Sequence, residues 1–254
     1  MADPRPAIAV VLLATVSGCL VEVPDVRGGG EEPGGPMVEV TAPDGTPYRI
    51  DVTEVTNAAY EEFLAAGGAD PASTGVPGCA GDHDATPRDW PMSSKLAEHP
   101  VVHVDWCDAR AFCAWAGKHL CAGIAGAPYG AADGADANVS EWYNACSAGG
   151  AREYPYGNEY VADRCNDASD EPASMPVPAL RECQGGFPGL FGMSGNAREW
   201  DGCDNDTAAS APCLVRGGGF RSNPADEGGD LGCYSNFVAA RDTADDVTGF
   251  RCCR

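Results

Sequence analysis

The sequence predicts an α+β domain with little regular secondary structure, held together by disulfides. Three observations predict it. Glycine (33) and proline (20) supply about a fifth of the 254 residues, too many for a helix bundle and suited to short elements joined by loops. Thirteen cysteines accompany only four histidines and form no C-x-x-C pair, which favours disulfides in an oxidising compartment over zinc. The segments with helical or strand periodicity are brief and mixed. An apolar fraction of 44% is that of a folded chain. A net charge of −22 excludes nucleic acid as a default partner and leaves cations and basic proteins as partners.

The elements follow in order. After the weakly basic Arg5, Ala7 to Val16 is an apolar run too short to span a bilayer as a helix. Val16-Ser17-Gly18-Cys19 comes next and resembles a bacterial lipobox. Residues 1–18 are thus expected to be a lipoprotein signal peptide. Cys19 is expected to carry the lipid, so the membrane is a partner through an anchor. The expected location is the bacterial cell envelope, and Leu20, in place of a retaining Asp, points to an outer membrane. Residues 19–36 then form the lipidated Cys and a Gly/Pro/acid-rich tether, and 37–254 form one domain. Setting Cys19 aside leaves twelve cysteines, enough for six bridges.

Within the domain, Val38–Val40 and Arg49–Val52 read as strands around the Pro43-Asp44-Gly45 turn. Thr56 caps a helix through Leu64, with Ala59, Tyr60, Phe63 and Leu64 on one face and Gly67-Gly68 as its stop. Residues 70–98 read as loop, with Asp82, Asp84 and Asp89 on a solvated face. A second helix runs from Trp106 to Ala116 between Asp105 as N-cap and Gly117 as stop. A third covers Glu141 to Cys146 behind Ser140. Val215–Phe220 and Thr248–Cys252 read as the clearest later strands. Cys203 with Cys213 and Cys165 with Cys183 are close enough in sequence to close local loops.

A series of motifs runs through this domain. It comprises Glu54-Val55-Thr56-Asn57, His99-Pro100-Val101-Val102-His103-Val104-Asp105-Trp106, Phe112-Cys113-Ala114-Trp115-Ala116-Gly117-Lys118, Tyr154-Pro155-Tyr156-Gly157-Asn158, Gly189-Leu190-Phe191-Gly192-Met193-Ser194-Gly195-Asn196-Ala197-Arg198-Glu199-Trp200, Val215-Arg216-Gly217-Gly218-Gly219-Phe220 and Gly249-Phe250-Arg251. In order and spacing it resembles the formylglycine-generating enzyme, or sulfatase-modifying factor, family. The resemblance implies a C-type-lectin-like α+β fold. It also implies an oxidase that converts a sulfatase Cys to formylglycine with O2 and a copper ion on two thiolates, and a bridge from Cys113 to Cys252.

Residue by residue, the active site that the resemblance implies is incomplete. Cys233 matches the second copper thiolate, the catalytic candidate of this chain. The first thiolate position, five residues earlier, is Gly228. Gly219 stands where the family has Ser, and Arg198 where it has Trp. Copper is therefore not expected, and a structural disulfide is the competing reading of Cys233. Cys146 matches a family half-cystine whose partner position is Val238 here, so it must pair elsewhere. The resemblance also implies calcium at Gly192, Gly195, Ala197 and Glu199, where Gly192 replaces an Asn, and at a shortened loop starting with Asn166 and Asp167. His99 and His103 read as structural.

Three functions stay open on this reading. One is a catalytically degenerate surface module that binds a glycan or a protein. The second is a metal-dependent oxidase of the formylglycine-generating type, and the third is a structural component of the envelope.

Overall fold

The N-terminal strands β1 (Met37–Thr41) and β2 (Pro47–Asp51) form an antiparallel hairpin around the predicted turn, Val38 opposite Ile50 and Thr41 opposite Pro47. In this computed structural model the described residues are 33–169, 173–203, 207–223 and 230–254. The expected signal peptide, lipidated Cys19 and most of the tether, together with Gly228, lie outside them. No helix of the described residues is long and apolar enough to cross a membrane.

The three helices begin where side-chain caps dictate. Helix α1 (Asn57–Ala65) is capped by Thr56, whose hydroxyl accepts the Ala59 N–H at 3.1 Å. It buries Tyr60 and Phe63. Helix α2 (Trp106–Trp115) opens with a full capping box. Asp105 accepts the amides of Cys107 and Asp108, and Asp108 accepts that of Asp105. Helix α3 (Glu141–Ser147) starts at Ser140, which accepts the Tyr143 N–H. The stretch from 70 to 98 holds only single helical turns at Pro71–Thr74, Pro77–Cys79 and Ser94–Leu96.

The capping box of α2 has a cost that pH reveals. Burial pushes Asp108 up to about 8 and Asp105 up to about 6, and the charges that act most on Asp108 are those of Asp105, Asp82 and Asp84, all of its own sign. The folded chain thus holds protons here that the unfolded chain has released. Their stabilising contribution is complete below about pH 4 and is lost as pH rises towards about 8. In metal-free buffer, urea unfolding midpoints are expected to fall across this window, and Asp108→Asn is expected to reduce that fall.

Two four-stranded sheets organise the rest. With β3 (His119–Leu120) and β8 (Cys252–Cys253), the hairpin makes a sheet of order β1-β2-β8-β3, so the C-terminal strand is central. The second sheet has the order β6-β5-β4-β7, from β4 (Arg198–Cys203), β5 (Pro212–Arg216), β6 (Phe237–Ala240) and β7 (Thr248–Gly249). Two strand expectations are corrected. The strand from Val215 stops at Arg216, because Gly217 and Gly218 take left-handed conformations (φ 78° and 64°) that end it. The expected strand Thr248–Cys252 is two strands on different sheets. Between them the Phe250 carbonyl accepts the Val55 N–H, the Phe250 ring enters the core and the Arg251 side chain is buried.

The main core is aromatic. Tyr60 stacks on Phe112 at 5.5 Å between ring centroids, and Phe250 meets Phe112 edge-on at 5.3 Å. A second cluster gathers Val40, Ile50, Trp142, Leu190 and Met193. Six disulfides tie these parts: Cys79–Cys107, Cys113–Cys252, Cys121–Cys253, Cys146–Cys233, Cys165–Cys183 and Cys203–Cys213. Cys203 and Cys213 sit directly opposite each other on β4 and β5. Such bridges offset the thin cores of loop-rich chains.

Candidate functional site

The residues that the sequence assigns to chemistry fall in separate places, with Cys233 in the segment before β6, Gly192 against Glu54, Gly195 against Asn166, and Asp167 in a loop with Tyr160 and Ser169. Cys233 is fully buried, and its N–H donates to the Glu153 carbonyl at 2.7 Å. Its sulfur is bridged to Cys146 on α3. This corrects the reading of Cys233 as a catalytic thiolate. A disulfide sulfur is neither a nucleophile nor a copper(I) ligand of the thiolate kind. It also answers the open question of Cys146, which finds its partner five residues before Val238. Val238 is surface-exposed.

The two other departures from the family pattern lie close by. Gly219 donates its N–H to Ser222 Oγ at 3.1 Å. A Cβ built on Gly219 would meet nothing nearer than 3.4 Å, so close packing does not demand the missing side chain. Arg198 stands in place of the Trp, lays its guanidinium 4.8 Å from the Phe237 ring centroid and reaches Asp230 at 3.5 Å. An arginine salt bridge and a cation–π contact thus tie Arg198 on β4 to Asp230 and Phe237, on either side of Cys233 in the chain.

Neither expected calcium loop presents a free carboxylate. Glu199 is buried, and its carboxylate is filled by a two-pronged bond from Arg251, Nε to Oε2 at 2.6 Å and Nη2 to Oε1 at 2.7 Å. Trp142 Nε1 adds a third donor at 2.7 Å. Gly192 packs against Glu54: a Cβ there would lie 2.4 Å from Glu54 Oε2, so an Asn at this position would need the Glu54 carboxylate to move. Gly195 abuts the Asn166 backbone, and the Ala197 side chain is buried. In this structure the one carboxylate of the set Gly192, Gly195, Ala197 and Glu199 is engaged by the Arg251 guanidinium. In the other loop Asp167 accepts the Tyr160 hydroxyl on Oδ2, and the Ser169 amide and hydroxyl on Oδ1. Asn166 keeps one buried, unpartnered Oδ1. One open amide oxygen does not make a calcium ligand set.

These residues form a buried ionic network instead. Arg251 also donates to the carbonyls of Asp51 and Phe191, both at 3.0 Å, and lies 3.9 Å from Glu54. Burial lifts the Glu54 carboxyl above the usual range, with Arg251 pulling it down and Glu199 pushing it up. The histidines serve elsewhere: His99 pairs with Ser174 Oγ at 3.0 Å and His103 with Asp89 at 3.1 Å. Sequence reasoning missed this network, and the only signal of it was the Arg251 of the Gly-Phe-Arg motif.

The described residues form a two-sheet, disulfide-stapled α+β domain with few helices. The match to the sulfatase-modifying factor enzyme 1-like domain over residues 19–254 makes the chain a member of that family. It is 30% identical over 183 residues to the formylglycine-generating enzyme of Thermomonospora curvata, covering 61% of this chain and 55% of that protein. It is 29% identical over 170 residues to the inactive C-alpha-formylglycine-generating enzyme 2 of Bos taurus, covering 61% of this chain and 50% of that protein. The chain thus spans about half the length of these relatives. The structure of PvdO from Pseudomonas aeruginosa shares the fold, with a TM-score of 0.54, 22% identity and coverage of 91% of this chain and 88% of that one.

Proposed function

We propose that this chain is a catalytically silent member of the family, an envelope lipoprotein anchored through Cys19 whose domain presents loops to a glycan or a protein. The observation that carries the loss of catalysis is the Cys146–Cys233 bridge, which leaves no thiolate at the one copper position the sequence retains. Similarity to a relative named as inactive points the same way. A binding face is supported by apolar residues in the open near the sealed site: Tyr234, Phe237 and Val238 are 38–45% exposed. Tyr154 stacks on Tyr156 and meets Tyr160 edge-on in the adjoining segment. The exposed Tyr234 and Phe237 rings, beside the half-buried tyrosines, suit sugar faces and peptide side chains.

The test is an oxidase assay. The chain, purified with its disulfides intact and supplied with Cu(I) and O2, is incubated with a sulfatase-derived Cys peptide, and the peptide is read by mass spectrometry and aldehyde trapping. The expected result is no aldehyde. Aldehyde formation that is lost in Cys233→Ala would overturn the reading.

A further inference from the structure

The carboxylates at the head of α2 are withdrawn from solvent to different degrees: Asp82 and Asp105 are half-buried and Asp108 is buried. The Cys79–Cys107 disulfide clips the turn that carries Asp82 to the first turn of the helix, where Asp105 and Asp108 stand on either side of Cys107. The Asp82 N–H closes its own turn on the Cys79 carbonyl. As a result, carboxylate oxygens of Asp82 and Asp105 lie within 4.8 Å of each other. That separation is spanned by one calcium ion with ligands at roughly 2.3–2.6 Å on either side.

Two oxygens there lack any hydrogen-bond partner although they are buried. One is Asp82 Oδ2, and the other is Oδ1 of Asp108, a residue only 6% exposed. Asp108 uses its other oxygen to accept the Asp105 amide, and Asp105 uses Oδ1 for the amides of Cys107 and Asp108. Unpartnered buried oxygens are costly unless something positive meets them. The nearest sulfur, Cys107 Sγ, is locked in its disulfide, so the available donors are all oxygens. An all-oxygen, carboxylate-rich set selects a hard divalent cation over zinc or copper.

We propose that Asp82 and Asp105 ligate a calcium ion at the head of α2, with the unpartnered Oδ1 of Asp108 reached through a metal-bound water. This site is separate from the Gly192–Glu199 and Asn166–Asp167 loops and from Cys233. The ion would neutralise the cluster and stiffen the join between the 70–85 loop and the core helix, and its purpose would be structural.

The test is calcium binding by the full chain after treatment with EDTA. CaCl2 titration is followed by calorimetry and by the rise in melting temperature. Tb3+ is a second probe, its luminescence excited through Tyr60 and Trp90, whose rings lie 6.4 Å apart and of which Tyr60 feels the charges of Asp108, Asp105 and Asp82. Asp82→Asn, in a surface turn, and Asp105→Ser, which keeps a capping hydroxyl, are each expected to weaken binding roughly tenfold or more. The calcium-free melting temperature of Asp82→Asn is expected to stay near that of the parent chain. Asn166→Ala is expected to leave binding unchanged. No calcium uptake by the parent chain overturns the proposal. So does uptake that survives both Asp82→Asn and Asp105→Ser, and so does uptake abolished by Asn166→Ala but unaffected by Asp82→Asn, which would place the ion in the other loop.

Discussion

Arg251→Met is expected to destabilise the chain by about 3–5 kcal/mol, the cost of stranding a buried carboxylate without its cation. Arg251 has no exposed surface and serves three carboxylate oxygens and two carbonyls: both oxygens of Glu199, the more distant Glu54, and the backbones of Asp51 and Phe191. Its removal leaves Glu199 with only the Trp142 indole, and leaves Glu54 with the Asn196 amide beside a like charge. Arg251→Lys is expected to recover only part of the loss, because a single ammonium cannot form the two-pronged bond. Urea unfolding with the slope held fixed reads both effects. A loss below about 1 kcal/mol for Arg251→Met would show that the network contributes little to stability. The same variant would also separate structure from chemistry: if Glu199 served a metal, freeing it from Arg251 would create calcium uptake at that loop, and no such uptake is expected.

Cys233→Ser is expected to cost about 2–4 kcal/mol and to expose one new thiol, that of Cys146, on denaturation. The bridge closes a separation of 87 residues and joins α3 to the segment before β6, so the unfolded chain gains much freedom when it is cut. Cys146→Ser is expected to cost a similar amount, and the double variant no more than either single one, because the two changes remove the same link. Thiol counting in denaturant and unfolding midpoints check this. Rapid alkylation of Cys233 in the native parent chain would contradict it, since the sulfur is both buried and bonded.

Much of the fold was legible because short polar residues announce helix starts. Thr56, Asp105 and Ser140 each cap the helix that the periodicity placed behind them; Gly67-Gly68 end α1 in left-handed backbone, and Ala148 takes the left-handed cap of α3 ahead of Gly149-Gly150. The stretch Thr248–Cys252 was misread as one strand for a physical reason. Alternation over five residues cannot show that Phe250 and Arg251 leave one sheet to fill the core before Cys252 joins another. The site was legible only in its gaps. Gly228, Gly219 and Arg198 announced a broken pattern from the sequence, whereas the partner of Cys146 required the chain to be folded. Of the loop aspartates, Asp84 and Asp89 are exposed as expected, whereas Asp82 is half-buried because a bridge spanning 28 residues of sequence draws its turn onto a helix.

The last residues carry a consequence for how such a chain comes into being. Ile50 pairs with Cys253, Val55 donates to Phe250, and the adjacent Cys252 and Cys253 are bridged in turn to α2 and to the segment after β3. The N-terminal hairpin therefore has no neighbour on its inner edge until residues 250–253 have been synthesised. Contacts spanning about two hundred residues must close last, which makes for high contact order and slow folding. A chain of this design cannot complete its first sheet until β8 has been made.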